Sequence, residues 1–167
     1  MEVYKMHYDI IVDDKGYSNF GPFQLWGKGK IAKLQVDVSA MFSKDMFDEF
    51  ALPYLDEQTK WLDKSMYHLD GVDALKHLDS ILSLEHLDAL EWTPGAGQPD
   101  GGDEVWDYIY EKTLDKGKQI YALVAPENIK KFVKKFGHKG VFIMTSAKDE
   151  AEAETMAAGR SRLSGEQ

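Results

Sequence analysis

Cysteine is missing from all 167 residues. That excludes a disulfide framework, a thiolate metal ligand and a cysteine nucleophile, and it fits a reducing compartment such as the cytoplasm. Arginine is nearly missing as well, with only Arg160 and Arg162 present. The 20 basic residues are outnumbered by 29 acidic ones and scattered among them, giving a formal net charge of −9, so no basic stripe exists to follow a nucleic acid. No apolar run approaches the roughly 20 residues of a membrane span. The opening "MEVYKMHYDII" lacks the basic start and continuous apolar stretch of a signal peptide. The expectation is a soluble, unprocessed cytoplasmic protein with neither a nucleic-acid nor a membrane partner.

At 43% hydrophobic residues the chain can bury one sizeable core but not two, so a single domain over 1–167 is expected. Tyr4, Tyr8 and Ile11 recur at helical spacing and predict an opening helix stopped near Gly16. The stretch "YSNFGPFQLWGKGK" reads as a glycine- and aromatic-rich loop that completes a lead-in over 1–30. In "KIAKLQVDVS", Ile31, Leu34, Val36 and Val38 predict a strand ending near Ser39. Ser43 can cap the helix after it, which runs to about Leu62 with Phe47, Phe50, Ala51, Tyr54, Leu55, Trp61 and Leu62 on one face, and Pro53 predicts a kink or break. The alternation then repeats. "SMYHL", "LDALEW", "QIYALV" and "GVFIMTS" read as strands. The helices between them are "VDALKHLDSILSL", with Val72, Leu75, Leu78 and Leu82 on one side, "DEVWDYIYEKTLDKG" and "ENIKKFVKKF". "KDEAEAETMAAGR" reads as the last helix, closing five βα units over 31–160, and 161–167 as a frayed tail.

Strands alternating with crossover helices make a parallel sheet, so the fold class is α/β. The strand centres are spaced by about 31, 23, 31 and 22 residues, close to one βα unit each. Two architectures fit: a five-stranded doubly wound, flavodoxin-like sheet, or part of a (β/α)8 TIM barrel in sequential strand order. Length favours the first, since a full barrel needs about 250 residues.

Both architectures bind ligands at the carboxyl ends of their strands. The polar residues there are Asp37 and Ser39, His68 and Asp70, Glu91 beside Trp92, and Thr145 with Ser146. His68 and Asp70 stand two apart on a strand and so share a face, as a chelating pair needs. Imidazole and carboxylate suit a divalent metal such as zinc, iron or manganese, with Asp37 or Glu91 as a third ligand. The same pair suits acid–base chemistry, the carboxylate orienting the imidazole. The competing structural role is a helix cap from Asp70 and a plain backbone hydrogen bond from His68. "EWTPGAGQPDGG" matches neither the phosphate-loop nor the dinucleotide fingerprint and reads as a mobile connection or lid. Phe23 and Trp26 are either plugs over a core or, facing the strand ends, a stacking platform for a substrate.

Three segments together, "DVSAMFSKDMFDEFALPYLDEQ", "YHLDG" and "LEWTPGAG", resemble the later part of the uroporphyrinogen decarboxylase superfamily, over roughly Tyr8 to Thr145. That superfamily comprises the heme-pathway decarboxylase and methyltransferases acting with corrinoid proteins. The resemblance implies the carboxyl half of a (β/α)8 barrel, reversing the preference from length. It also implies decarboxylase (lyase) or methyltransferase chemistry on a small organic substrate, at catalytic Asp37, His68 and Asp70 with Glu91, Trp92 and Trp26 against the substrate. His68 falls where the methyltransferases place a zinc ligand, and Asp70 where they use cysteine. A half-barrel further implies a homodimer or a complementing barrel half, with a corrinoid protein as partner for methyl transfer. The competing expectation is a non-catalytic half-barrel that acts as a binding or assembly module.

Overall fold

The computed structural model describes residues 1–163. The chain opens on helix α1 (Glu2–Ile11), which ends five residues before Gly16; that glycine instead makes a left-handed turn, φ 83°, into an antiparallel hairpin. The expected loop is this hairpin: β1 (Tyr17–Phe20) pairs with β2 (Leu25–Lys28) across a 3-10 turn, Gly21–Phe23, which Pro22 favours by fixing its own φ. Glycines where alternation was sought hid it from a pattern of period two.

Five strands follow, β3 (Ile31–Leu34), β4 (Lys64–Asp70), β5 (Ala89–Thr93), β6 (Gln119–Leu123) and β7 (Val141–Met144). They form one parallel sheet in the order β3-β4-β5-β6-β7, without a reversal. The first strand is shorter than expected. It stops at Leu34, and Asp37–Met41 turns into a 3-10 helix that leaves Val38 exposed and buries Ser39. Alternating valines cannot tell a strand from a tight turn with the same spacing of apolar residues.

Between the strands run α2 (Lys44–Phe50), α3 (Leu52–Trp61), α4 (Leu78–Leu82), α5 (Asp107–Asp115) and α6 (Ile129–Phe136), and α7 (Glu150–Leu163) follows β7. The break between α2 and α3 falls where Pro53, at the start of α3, denies the preceding turn an N–H donor. Ser43 caps α2, its Oγ accepting from the Met46 N–H at 3.2 Å. Phe47, Ala51 and Leu55 are buried as expected, but Phe50 and Tyr54 face solvent. The helix after β4 begins as a 3-10 segment, Val72–His77, so Ala74, His77, Leu78, Ile81 and Leu82 turn inward and Val72 does not. Ser161–Leu163 continue α7 rather than fray; the rest of the expected tail, 164–167, lies outside the described residues.

The two faces of the sheet are covered differently. On one, Ala32, Leu34, Tyr67, Leu69, Leu90, Trp92, Ile120 and Ala122 join Phe47, Leu55, Leu78, Ile81, Ile109, Tyr110 and Phe132 from the helices in a single core. Nearly all the buried apolar side chains belong to this helix face, so at about 25 cal/mol per Å2 it is the larger source of hydrophobic stabilisation. The opposite face carries Lys33, Met66, His68, Asp70, Glu91, Thr93 and Tyr121, and the hairpin lies against it. Phe23 packs on His68 and Tyr121, and a Cβ on Gly27 would sit 3.0 Å from the Ile31 side chain. At the β3 edge the Tyr4 hydroxyl of α1 donates to the Ile31 carbonyl at 2.6 Å, whereas β7 pairs only with β6.

Candidate functional site

Parallel pairing sets His68 directly opposite Glu91, and Glu91 opposite Tyr121. Because side chains alternate along a strand, all three stand on the hairpin face together with Asp70. The Glu91 carboxylate is fully buried there, and its Oε1 accepts from the Thr93 hydroxyl at 2.6 Å. Its Oε2 contacts His68 Nδ1. A buried carboxylate is costly unless hydrogen-bonded, and the imidazole is a hydrogen-bonding partner for it. With the carboxylate at Nδ1, that nitrogen carries the N–H and donates. The Nε2 lone pair is then left pointing away from Glu91.

Nε2 faces Asp70, whose Oδ2 is 3.9 Å away. Asp70 makes no capping bond to the segment Val72–His77, which starts on Gly71 at φ 80°, so its carboxylate is available rather than consumed as a cap. The 3-10 turn after β3 adds Asp37, oriented by Gln35 Nε2, which donates to Asp37 Oδ2 at 2.6 Å. One donor atom from each of Asp37, His68 and Asp70 lies within 4.8 Å of the other two. His68 is half-buried and the carboxylates are exposed, whereas zinc-type ions hold their ligands at ~2.0–2.2 Å, so binding would draw the three donors closer together. The donors are one imidazole nitrogen and two carboxylates, which suit zinc, manganese or iron. Behind them, Glu91 on Nδ1 is the outer partner that metal-ligating histidines commonly have. The residues present fit a divalent ion.

Tyr121 completes the floor. Burial, and after it the Glu91 charge, push its phenol above the ordinary value, so it stays protonated and donates to the Phe23 carbonyl at 3.1 Å. Phe23 lies over the His68 ring with centroids 5.2 Å apart. Trp92 and Trp26 do not line this cluster. Trp92 is the neighbour of Glu91 on one strand and so points through to the helix face, fully buried with its edge on Trp106. Trp26 stacks on Tyr17 at 4.5 Å with its outer face in solvent. The loop after β5 is pinned rather than free at its far end: Asp100 Oδ1 accepts from the Gly102 and Ala125 N–H groups at 2.9 and 3.0 Å. Its near end rests against the β4 loop, since Gly71 N–H donates to the Thr93 carbonyl at 2.8 Å.

Sequence reasoning passed over Thr93, Tyr121 and Lys33. Strand parity would have found the first two, because residues level with His68 and Asp70 on adjacent strands must share their face. Compared with protein-family models, with curated proteins and with solved structures, the chain matches none of them.

Proposed function

We propose that this chain is half of a (β/α)8 barrel of the uroporphyrinogen decarboxylase type, and that Asp37, His68 and Asp70 form the reacting centre for a small organic substrate. The observation that carries this is the convergence of three ligand-type side chains from two adjacent strand ends, with a buried carboxylate set behind the imidazole. Two features of the sheet support it: strand order that follows the sequence, and helices packed as one layer on one face, as in a barrel wall. A flavodoxin-like sheet reverses its order once and carries helices on both faces.

Asp37, Asp70 and His68 Nε2 would hold a divalent ion, with Glu91 fixing the imidazole. Such an ion supplies Lewis acidity toward a carbonyl or carboxylate oxygen. Glu91 keeps the Nδ1 proton in place, Phe23 and the hairpin keep water off the imidazole, and Asp70 is the exposed group within reach of an incoming proton. Decarboxylation and methyl transfer both suit a rim of this kind. With no thiolate in the chain, decarboxylation is favoured, and methyl transfer would need a corrinoid protein as partner. Metal analysis of the purified protein by inductively coupled plasma mass spectrometry tests the centre: one divalent ion per chain, lost in His68→Ala, supports it. Less than 0.1 ion per chain after zinc loading and desalting refutes it.

A second reading, an assembly module that completes its barrel with another copy or a complementing half, is favoured by one surface. Val3, Met6 and Ile10 form an outward apolar stripe on α1, each at least 69% exposed. Beside it lies a groove of about 310 Å3 lined by Met1, Tyr4, Tyr54 and Leu62. Patches of this kind mark contact surfaces. Sedimentation from 1 to 100 µM would show association lost in Met6→Glu; a monomer throughout removes this reading.

A further inference from the structure

Lys33 is the third residue of β3 and stands on the hairpin face, level with Met66 in the neighbouring strand. It is half-buried, and among the described residues no acid is paired with it. Every ion pair of the described residues that involves a lysine uses another one, and Asp37, four residues on, makes no ion pair with it and accepts from Gln35 on Oδ2. What covers the Lys33 ammonium is an aromatic face: Nζ sits 4.4 Å above the centre of the Phe23 ring. The same ring meets His68, with centroids 5.2 Å apart. Phe23 therefore touches both a cation without an anion among the described residues and the imidazole of the candidate centre, and the two spacings place ammonium and imidazole within about 10 Å of each other, the reach of one small substrate.

Phe23 is held by side-chain packing on His68 and Tyr121 rather than by a strand ladder. Its hairpin is a separate two-stranded sheet with no ladder to the five-stranded one. The Phe23 carbonyl receives a single hydrogen bond, from Tyr121. A cation over a ring is a weaker pairing than a cation against a carboxylate, which adds a charge-assisted hydrogen bond.

We propose that Lys33 is the anchor for a carboxylate on the substrate, and that Phe23 occupies that substrate's place until a planar organic acid displaces it. The assignment rests on the reading of Asp37, His68 and Asp70 as the reacting centre and adds the substrate class: a small carboxylic acid with a flat apolar body, its carboxylate on Lys33 and its other end toward His68. Lys33 is in this role a binding residue. Displacing Phe23 requires that the hairpin tip swing away and that the flat body of the incoming molecule replace its packing on His68 and Tyr121, with the Tyr121 hydroxyl freed to donate to that molecule.

The test is benzoate binding to the full chain, followed by NMR of the lysine and histidine side chains, with benzyl alcohol as the uncharged control. Benzoate is expected to shift the Lys33 and His68 resonances, to bind at least five-fold more tightly to Phe23→Ala, and to lose at least ten-fold in affinity in Lys33→Met. Lys33→Arg, which keeps charge and stem, should stay within three-fold of the parent, and benzyl alcohol should be indifferent to all Lys33 changes. Equal benzoate affinity for the parent and a folded Lys33→Met overturns the anchor. If Lys33→Met does not fold, Lys33→Arg and Phe23→Ala decide: no binding to either also overturns it. Zinc titration of the same samples separates the two ideas. Zinc bound normally with benzoate indifferent to Lys33 sinks the anchor alone, and Lys33-dependent benzoate binding without any zinc binding sinks the metal centre alone.

Discussion

Glu91→Gln is the substitution that bears most directly on the chemistry, because it changes one charge and no shape. The Glu91 carboxylate is fully buried, takes the Thr93 hydroxyl on one oxygen and faces His68 Nδ1 with the other. An amide can preserve both contacts, its oxygen accepting from Nδ1 and its NH2 donating to Thr93, so folding should change by less than about 1.5 kcal/mol, the scale of one net hydrogen bond. What is lost is the negative charge that makes Nε2 a stronger donor. Removing the outer partner of a ligating histidine typically costs about 10–100-fold in metal affinity. At 1.4 kcal/mol per factor of ten, that is about 1.4–2.8 kcal/mol. The assay is competition for zinc against a chromophoric chelator at pH 7.5, with urea unfolding of the metal-free protein in parallel. Weaker zinc binding with near-parental stability is the expected pair of results. Unchanged zinc affinity in Glu91→Gln, alongside a clear loss in Asp37→Asn or Asp70→Asn, would refute the role assigned to Glu91 and leave it a buried packing group.

Trp92→Ala should destabilise by about 3–5 kcal/mol in urea melts, the cost of emptying an aromatic site in a packed core, while zinc affinity in the folded fraction stays within two-fold; a selective loss of zinc binding would put Trp92 at the site after all. Trp92→Phe should cost far less, because the indole N–H it removes has no hydrogen-bond partner. His77 is buried against Phe47, its Nε2–H donating to the Ser39 carbonyl at 2.9 Å, and burial holds its pKa below the ordinary value. The unfolded chain therefore takes up the proton first. Stability should fall as pH drops through about 6.5 toward the lower folded value, with the slope abolished in His77→Gln; a slope that survives that change assigns it to another group. Gly101→Ala places a Cβ 2.4 Å from the Leu123 carbonyl oxygen, so the Asp100 loop must shift, and hydrogen exchange at Gly102 and Ala125 should speed up at least ten-fold.

The parts of the fold that could be read in the sequence are those fixed by local chemistry. Ser43, Pro53 and Gly137 act on the backbone within a few residues of themselves and were legible, as were β4, β5 and β6, whose apolar runs are bounded by turns. The hairpin was not, since glycines interrupt its alternation and its stability comes from Phe23 resting on residues far along the chain. The site was half legible. His68 and Asp70 announce a shared face by their spacing, but that Asp37 rather than Glu91 faces the open side follows from a strand that ends at Leu34, a boundary set by tertiary packing. Trp92 shows the opposite failure: next to Glu91 on one strand, it had to point the other way, and parity alone excludes it from the rim.

The contact between the Tyr4 hydroxyl and the Ile31 carbonyl gives the sheet a polarity. One margin is stoppered by a phenol while the far one, along β7, still offers unused backbone donors and acceptors. Head-to-tail stacking of copies, β7 of one on β3 of the next, would therefore compete with the α1 contact at Ile31. Along β7, by contrast, a further strand could pair without displacing any contact of the described residues.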